Sequence, residues 1–284
     1  EEYRRFLSPK SIDKIACLYP GLPNIKSQAP KSTRFNVASF GRLDRKSDTI
    51  KQISISSEAW AAARANGHIS ELATDDVVFS AIGSRGSEPV LDELKQELND
   101  TWKASLRELP FEEVNDFDTS SLKDTLSRCS FVLLNSWYEN FGLTFLETCT
   151  FGVPTVVSRS SGFYVDLIKL LGEEAKSLVL SVETDGVSRD KLVVELEKTL
   201  IASSANYDRT FDNAQNLSRL LREKWPSWAD ATKVILDAAE ASAKPSKTDT
   251  AEVEVRAEAS EFSNDNPWPE TLKDLMDWSW SRNV

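Results

Sequence analysis

NSWYENFGLTFLETCTFGVPTVVS (135–158) reads as the end of a strand, an exposed loop, a helix, a tight turn and the next strand. In an open α/β sheet a ligand binds beyond the carboxyl ends of the strands, so the loop from Ser136 to Phe141 lies on the binding side. The helix after it aims its first unpaired N–H groups, near Gly142 and Leu143, at that crevice, and Gly142 lets backbone approach a ligand closely. An anion is favoured there. Glu139 falls in the loop, facing the crevice entrance. Glu147, about two turns into the helix, can turn toward a polar group such as a ribose hydroxyl.

Working outward, short apolar runs alternate with longer helical stretches from Phe35 to about Ala241. FNVASF (35–40), DVVFSAIG (76–83), SLREL (105–109), CSFVLLNS (129–136), VPTVVS (153–158) and SLVLSV (177–182) read as strands. Helices are expected over about 49–66, 88–99, 121–128, 142–151, 164–171 and 188–203. In the last of these Leu192, Leu196 and Leu200 recur at spacing four behind Ser188 as N-cap, which marks a core-facing stripe. Six βα steps in a row predict a doubly wound α/β domain with a parallel sheet. Beyond Ala205 the pattern is helical only, broken at Pro226.

Residues 242–266 are polar, acidic and almost free of large apolar groups, so they are expected to form a flexible linker. The closing segment 267–284 regains Leu272, Leu275, Met276, Trp278 and Trp280, a short amphipathic helix whose aromatic end would dock on a neighbouring domain or mediate a dimer. Glu1 stands where a start methionine would be, so the chain is expected to be part of something longer. Residues 1–30 then read as an entering segment and 31–241 as the ligand-binding domain.

Composition narrows the function. Asp and Glu number 45 against 34 Lys and Arg, a formal charge of −11 that repels a phosphate backbone, so nucleic acid is not the expected partner. No apolar run reaches the roughly 20 residues that span a bilayer, and the N-terminus lacks a signal-peptide core. Cys17, Cys129 and Cys149 are odd in number and widely spaced, which reads as reduced thiols in the cytoplasm. His68 is the only histidine and sits in a polar loop sequence, so neither a His-rich metal site nor a catalytic triad is expected.

With those residues in place, E-N-F-G-L-T-F-L-E followed by F-G-V-P-T-V-V resembles the E-x7-E signature of the retaining glycosyltransferases of family four. Those enzymes have the GT-B architecture, two facing Rossmann-like domains, and the signature belongs to the second, donor-binding one. FGRLDRKSD (40–48), VVFSAIGSRG (77–86), YPGLPN (19–24), SRSSGFYVDLI (158–168) and KWPSWADAT (224–232) resemble further family stretches in the same order. The resemblance covers about residues 15–240 and leaves out the tail.

The resemblance implies a nucleoside-diphosphate sugar, UDP- or GDP-linked, as donor substrate, with neither metal nor cofactor, and an acceptor domain that this chain lacks. Arg42 would hold the diphosphate, Glu147 the ribose, and Glu139 would stand near the anomeric carbon as the catalytic residue. Backbone groups of Phe141, Gly142, Leu143, Thr144, Ser161 and Gly162 would line the sugar and phosphate path. The family's lysine aligns with Ser47, leaving Lys46 as a substitute by a local shift, and the second glycine of the diphosphate loop aligns with Phe163. These departures fit an alternative, a module that kept the fold and lost turnover. A nicotinamide-dependent enzyme is disfavoured, because no G-x-G-x-x-G follows the first strand.

Overall fold

The computed structural model describes residues 19–23, 25, 28–32, 35–66, 78–83, 91–102, 111–114 and 119–243. Six parallel strands carry the fold: β1 (Val37–Phe40), β2 (Phe79–Ile82), β3 (Phe111–Val114), β4 (Phe131–Leu134), β5 (Thr155–Ser158) and β6 (Leu180–Val182). Their order across the sheet is β3-β2-β1-β4-β5-β6, the doubly wound arrangement in which the winding direction reverses between β1 and β4. Val37 pairs in register with Phe79 on one side and with Phe131 on the other.

Alternation along each strand divides the core into two layers. Phe131 and Leu133 point to one face, where they join Val37, Phe79, Val156 and Val182. Val132 and Leu134 point to the other, with Ala38, Ile82 and Val157. Both faces are covered, which explains why the strands read as continuous apolar runs.

Helices α1 (Arg45–Lys51) and α2 (Ile53–Ala65) follow β1. The single helix expected over 49–66 is interrupted at Gln52, which adopts φ 57 and ψ 37, a left-handed conformation uncommon for a residue with a side chain. The break separates a surface helix with no buried residue from one that is buried over most of its length. Then come α3 (Leu91–Trp102), α4 (Thr119–Ser127), α5 (Leu143–Phe151), α6 (Gly162–Leu178), α7 (Arg189–Ala205), α8 (Tyr207–Lys224) and α9 (Trp228–Ala243). Regular geometry in α6 is lost at Gly172, where the expected helix over 164–171 also stops.

Two strand readings need correction. The third strand is Phe111–Val114, while SLREL (105–109) lies outside the described residues. The sixth begins at Leu180, because Ser177 and Leu178 still belong to α6. Ser188 does occupy the N-cap position of α7, but its side chain makes no capping hydrogen bond. His68, Cys17 and residues 244–284 are outside the described set, and with them the Trp-rich helix and all of the expected linker except Ser242 and Ala243, which end α9.

Leu192, Leu196 and Leu200 of α7 are all buried in the layer that holds Trp60 and Phe131. Cys129 and Cys149 are free and buried, and burial pushes the Cys149 thiol up to about 12. Trp225 packs among Phe141, Phe163 and Tyr19, and its indole N–H donates to the Pro20 carbonyl at 2.8 Å. Trp228, by contrast, is half exposed. Truncating the α7 stripe tests the layer: Leu196→Ala removes a fully buried side chain and is expected to lower the unfolding free energy by about 2–5 kcal/mol. A urea titration would show this as a lower midpoint at unchanged slope.

Candidate functional site

In a doubly wound sheet the reversal between β1 and β4 marks the carboxyl-edge position where a binding crevice falls, and here that position is flanked by the turn after β1 and the loop after β4. On the first side stand Gly41 and Arg42, followed by Asp44 as N-cap of α1. Asp44 accepts from both the backbone N–H (2.9 Å) and the hydroxyl (3.1 Å) of Ser47. Those bonds, the backbone one foremost, hold its carboxyl below the usual range, and the neighbouring Arg42 adds to the effect. Ser47 is therefore committed to the cap. Arg42 and Lys46 are exposed and form no ion pair among the described residues.

On the second side the loop from Asn135 to Phe141 is held by several contacts. Asn135 is buried and its amide reaches the Gln52 carbonyl, while the Trp137 N–H donates to the Ile50 carbonyl at 2.8 Å. Tyr138 is pinned to Asn140 by its hydroxyl at 2.8 Å. The side chains of Trp137 and Tyr138 remain half exposed, so neither is a core aromatic. Beneath the loop, Ser158, Ser160 and Thr184 share hydroxyl contacts of 2.6 and 2.8 Å, and Thr184 reaches the Ser136 carbonyl.

Gly142 caps α5 at φ 90, a conformation that a side chain would strain. No side chain caps this helix, which leaves its first N–H groups, those of Leu143 and Thr144, without an intrahelical partner. Ser161 and Gly162, whose backbone is expected to line the phosphate path, are the N-cap and first residue of α6. The Gly162 N–H donates to the Glu139 carbonyl at 3.0 Å and that of Ser161 to the Ser158 carbonyl at 3.2 Å, so these donors are used inside the protein. A Cβ on Gly162 would lie 1.8 Å from the Asn140 carbonyl oxygen. Only glycine permits that approach, and its effect is to brace the Glu139 loop. Phe163, in the place of the second glycine, is fully buried between Phe141, Phe145 and Trp225.

The two carboxylates differ sharply in setting. Glu147 is half-buried in α5 with no hydrogen-bond partner among the described residues, and desolvation pushes it up to about 7. Glu139 is paired with Lys51, the last residue of α1; their side chains are 20% and 33% exposed. Sequence reasoning missed Lys51. The signal was available, since Lys51 lies four residues after Ser47 and so shares its helix face. A Cβ on Gly41 would meet the Lys51 Cβ at 2.9 Å, which places Lys51 directly against the turn that carries Arg42. The Lys51–Glu139 pair thus bridges the two sides of the crevice. Lys46, the expected substitute, is held by no such contact.

Sheet order and the braced loop define a doubly wound α/β domain of the kind found in GT-B proteins. Comparison agrees. Over residues 1–235 the chain matches the family described as "Family 4 Glycosyltransferase in conflict systems", and it belongs to that family. No curated protein matches it in sequence. Its fold is similar to that of a point variant of S. aureus TarM solved with UDP and other ligands, at TM-score 0.57 and 14% identity over 84% of this chain and 42% of that one. It is likewise similar to sucrose-phosphate synthase from Thermosynechococcus elongatus, at 0.55 and 20% over 85% and 56%. A UDP-forming α,α-trehalose-phosphate synthase from Burkholderia xenovorans gives 0.52 and 16% over 73% and 44%. The chain thus spans 42–56% of the length of these solved chains. Among the described residues no helix is long and apolar enough to cross a membrane.

The setting of Glu147 has a thermodynamic signature. Its folded-state value lies above the ordinary 4.5, so the neutral carboxyl is favoured in the fold; stability is full below pH 4.5 and is lost as pH rises through about 7. Glu147→Gln mimics the neutral form. Above pH 7 it is expected to stabilise the domain by up to about 3 kcal/mol, and near pH 5 by less than about 1 kcal/mol. Urea unfolding at the two pH values checks this, and equal shifts at both would show that Glu147 ionises freely in the fold.

Proposed function

We propose that the crevice between β1 and β4 binds a nucleoside-diphosphate sugar, and that the chain is the donor-binding half of a retaining, metal-independent glycosyltransferase that moves a hexose onto an acceptor hydroxyl. The observation that carries this reading is the placement of Arg42, Glu139 and the open N-terminus of α5 around the point where the sheet reverses. Family membership supports it.

In this reading Arg42 neutralises the diphosphate, with Lys46 free to swing toward it. A charge-assisted contact contributes about 1.5–3 kcal/mol, and a helix terminus about 0.3–1 kcal/mol at an exposed site. The cations therefore dominate, and the N–H groups of Leu143 and Thr144 direct the anion. Gly142 and Phe141 let the backbone come close. Glu147 waits unpartnered, ready to accept from the ribose hydroxyls, and those donors would favour its ionised form. In the reaction the bond from the anomeric carbon to the diphosphate oxygen breaks, the electron pair leaves with the diphosphate, and the acceptor oxygen bonds to the same face of the sugar. The acceptor proton passes to the departing phosphate oxygen. Glu139 faces the anomeric region. The acceptor itself would be held by a domain outside this chain, and the base is left as uracil or guanine.

Two observations favour a second reading, a binding module without turnover. Ser47 is tied into the Asp44 cap, and the N–H groups of Ser161 and Gly162 are spent on the loop, so fewer groups remain for the phosphates.

Calorimetry with UDP and GDP tests the site. Wild type is expected to bind one of them and Arg42→Ala to bind it at least tenfold more weakly; equal binding would remove Arg42 from the site. Turnover separates the two readings. In a longer parent chain carrying the acceptor domain, Glu139→Gln should reduce donor hydrolysis or transfer far more than donor affinity, whereas a parent inactive on every donor supports the binding module.

A further inference from the structure

We propose that Lys51 is the exchangeable cation of this site: it holds Glu139 while the crevice is empty and passes to the diphosphate when a donor enters, releasing Glu139 toward the sugar. This rests on the donor reading above and adds to it a positioning residue and an order of events.

Four features of the fold lead there. Lys51 ends a helix that buries none of its own residues, so its side chain is not locked by packing. It is nevertheless drawn across the crevice to Glu139 and is only one third exposed. The reach between the two sides is short on the backbone as well, because the Trp137 N–H donates to the carbonyl of Ile50, the residue before Lys51. On the other flank, a Cβ added to Gly41 would meet the Lys51 Cβ at 2.9 Å, so the base of this side chain lies against the turn that carries Arg42.

Ser47 and Lys46 cannot supply the same arrangement. Ser47 carries no charge and serves the Asp44 cap. Lys46 is exposed, its helical neighbours face solvent, and no contact directs it at the loop. Lys51 lies one turn beyond Ser47 on the same helix face, so a cation lost at one position is regained at the next turn.

The exchange is physically easy, because one charge-assisted contact replaces another and the ammonium is never left bare. Its consequence falls on Glu139. An ionised carboxylate only accepts hydrogen bonds. Once Lys51 has moved to a phosphate, Glu139 needs new donors, and the hydroxyls of a sugar are the donors that a nucleotide sugar brings and a bare nucleoside diphosphate lacks. With the bare diphosphate Glu139 is left as an unpaired anion beside the phosphates. Glu139 thus competes for Lys51 against product and cooperates with substrate.

The test is a double-mutant cycle by calorimetry on the 284-residue chain, with UDP and GDP as probes and UDP-glucose and GDP-mannose as their sugar-bearing counterparts. Lys51→Met is expected to weaken diphosphate binding at least tenfold, Lys46→Met by a smaller factor, and Lys51→Arg to stay within threefold of wild type. Glu139→Gln should bind the bare diphosphate at least threefold more tightly than wild type, an increase that vanishes in the Lys51→Met background. A simple structural role for the pair would weaken both ligands alike in Glu139→Gln. Wild-type binding left untouched by Lys51→Met, or no gain for Glu139→Gln, overturns the role of Lys51 alone. If wild type binds no probe of either base, the donor reading falls, and this inference with it.

Discussion

The pairing of β1 with β4 is the constraint on which the rest of the structure hangs. Val37, Ala38 and Ser39 run parallel to Phe131, Val132 and Leu133 at the centre of the sheet, and from this line the chain winds outward in opposite directions. The connections after β1 and β4 must therefore diverge, which opens a gap that no crossover helix can fill. Each strand contributes to both cores, so shifting the pair by one residue would reverse Phe131 and Val132 and ruin both layers at once. The site thus inherits its position from the best-buried part of the molecule.

What the sheet leaves open, the loops close with backbone contacts. The Glu139 carbonyl accepts from Gly162 and the Phe141 carbonyl from Phe163, so the loop after β4 is stitched to the start of α6. Phe163 then anchors that stitch in an aromatic cluster with Phe141, Phe145 and Trp225. A residue that looks like a defect in a glycine-rich loop is, in this protein, the buried peg that steadies Glu139. The same loop gains rigidity from the hydroxyl cluster of Ser158, Ser160 and Thr184, which meets the Ser136 carbonyl from below.

Much of this was legible in the residues and some was not, for separable reasons. The order of strands and helices followed from hydrophobic period and turn residues, and the leucine stripe of α7 fell where its spacing placed it. The helix break at Gln52 was hidden because the left-handed turn is made by a residue with no propensity for it. The third strand escaped because FEEV is short and carries two acidic residues, so its pattern is weak beside SLREL. Within the site, Glu139, Glu147, Gly142 and Arg42 were visible as a motif. For Lys51 the only hint was its spacing of four from Ser47, since a motif fixes positions along the chain while an ion pair between groups 88 residues apart depends on the fold. Hydrogen-bond accounting had the same limit: nothing in the order of residues says that the N–H of Gly162 is already spent.

Net charge alone argues against an anion site in a chain of −11, and the local arrangement reverses that argument. Arg42, Arg45, Lys46 and Lys51 fall within ten consecutive residues on the turn and helix after β1. Arg45 is drawn off to Glu93 and Lys51 to Glu139, which keeps the empty site close to neutral and avoids crowding cations against one another. Glu147, its ionisation opposed by desolvation, adds less negative charge than a solvated carboxylate would. On the proposed reading an incoming diphosphate would meet Arg42 and Lys46 at once and Lys51 through exchange, while acidic groups beyond about 8–10 Å in physiological salt are screened from it.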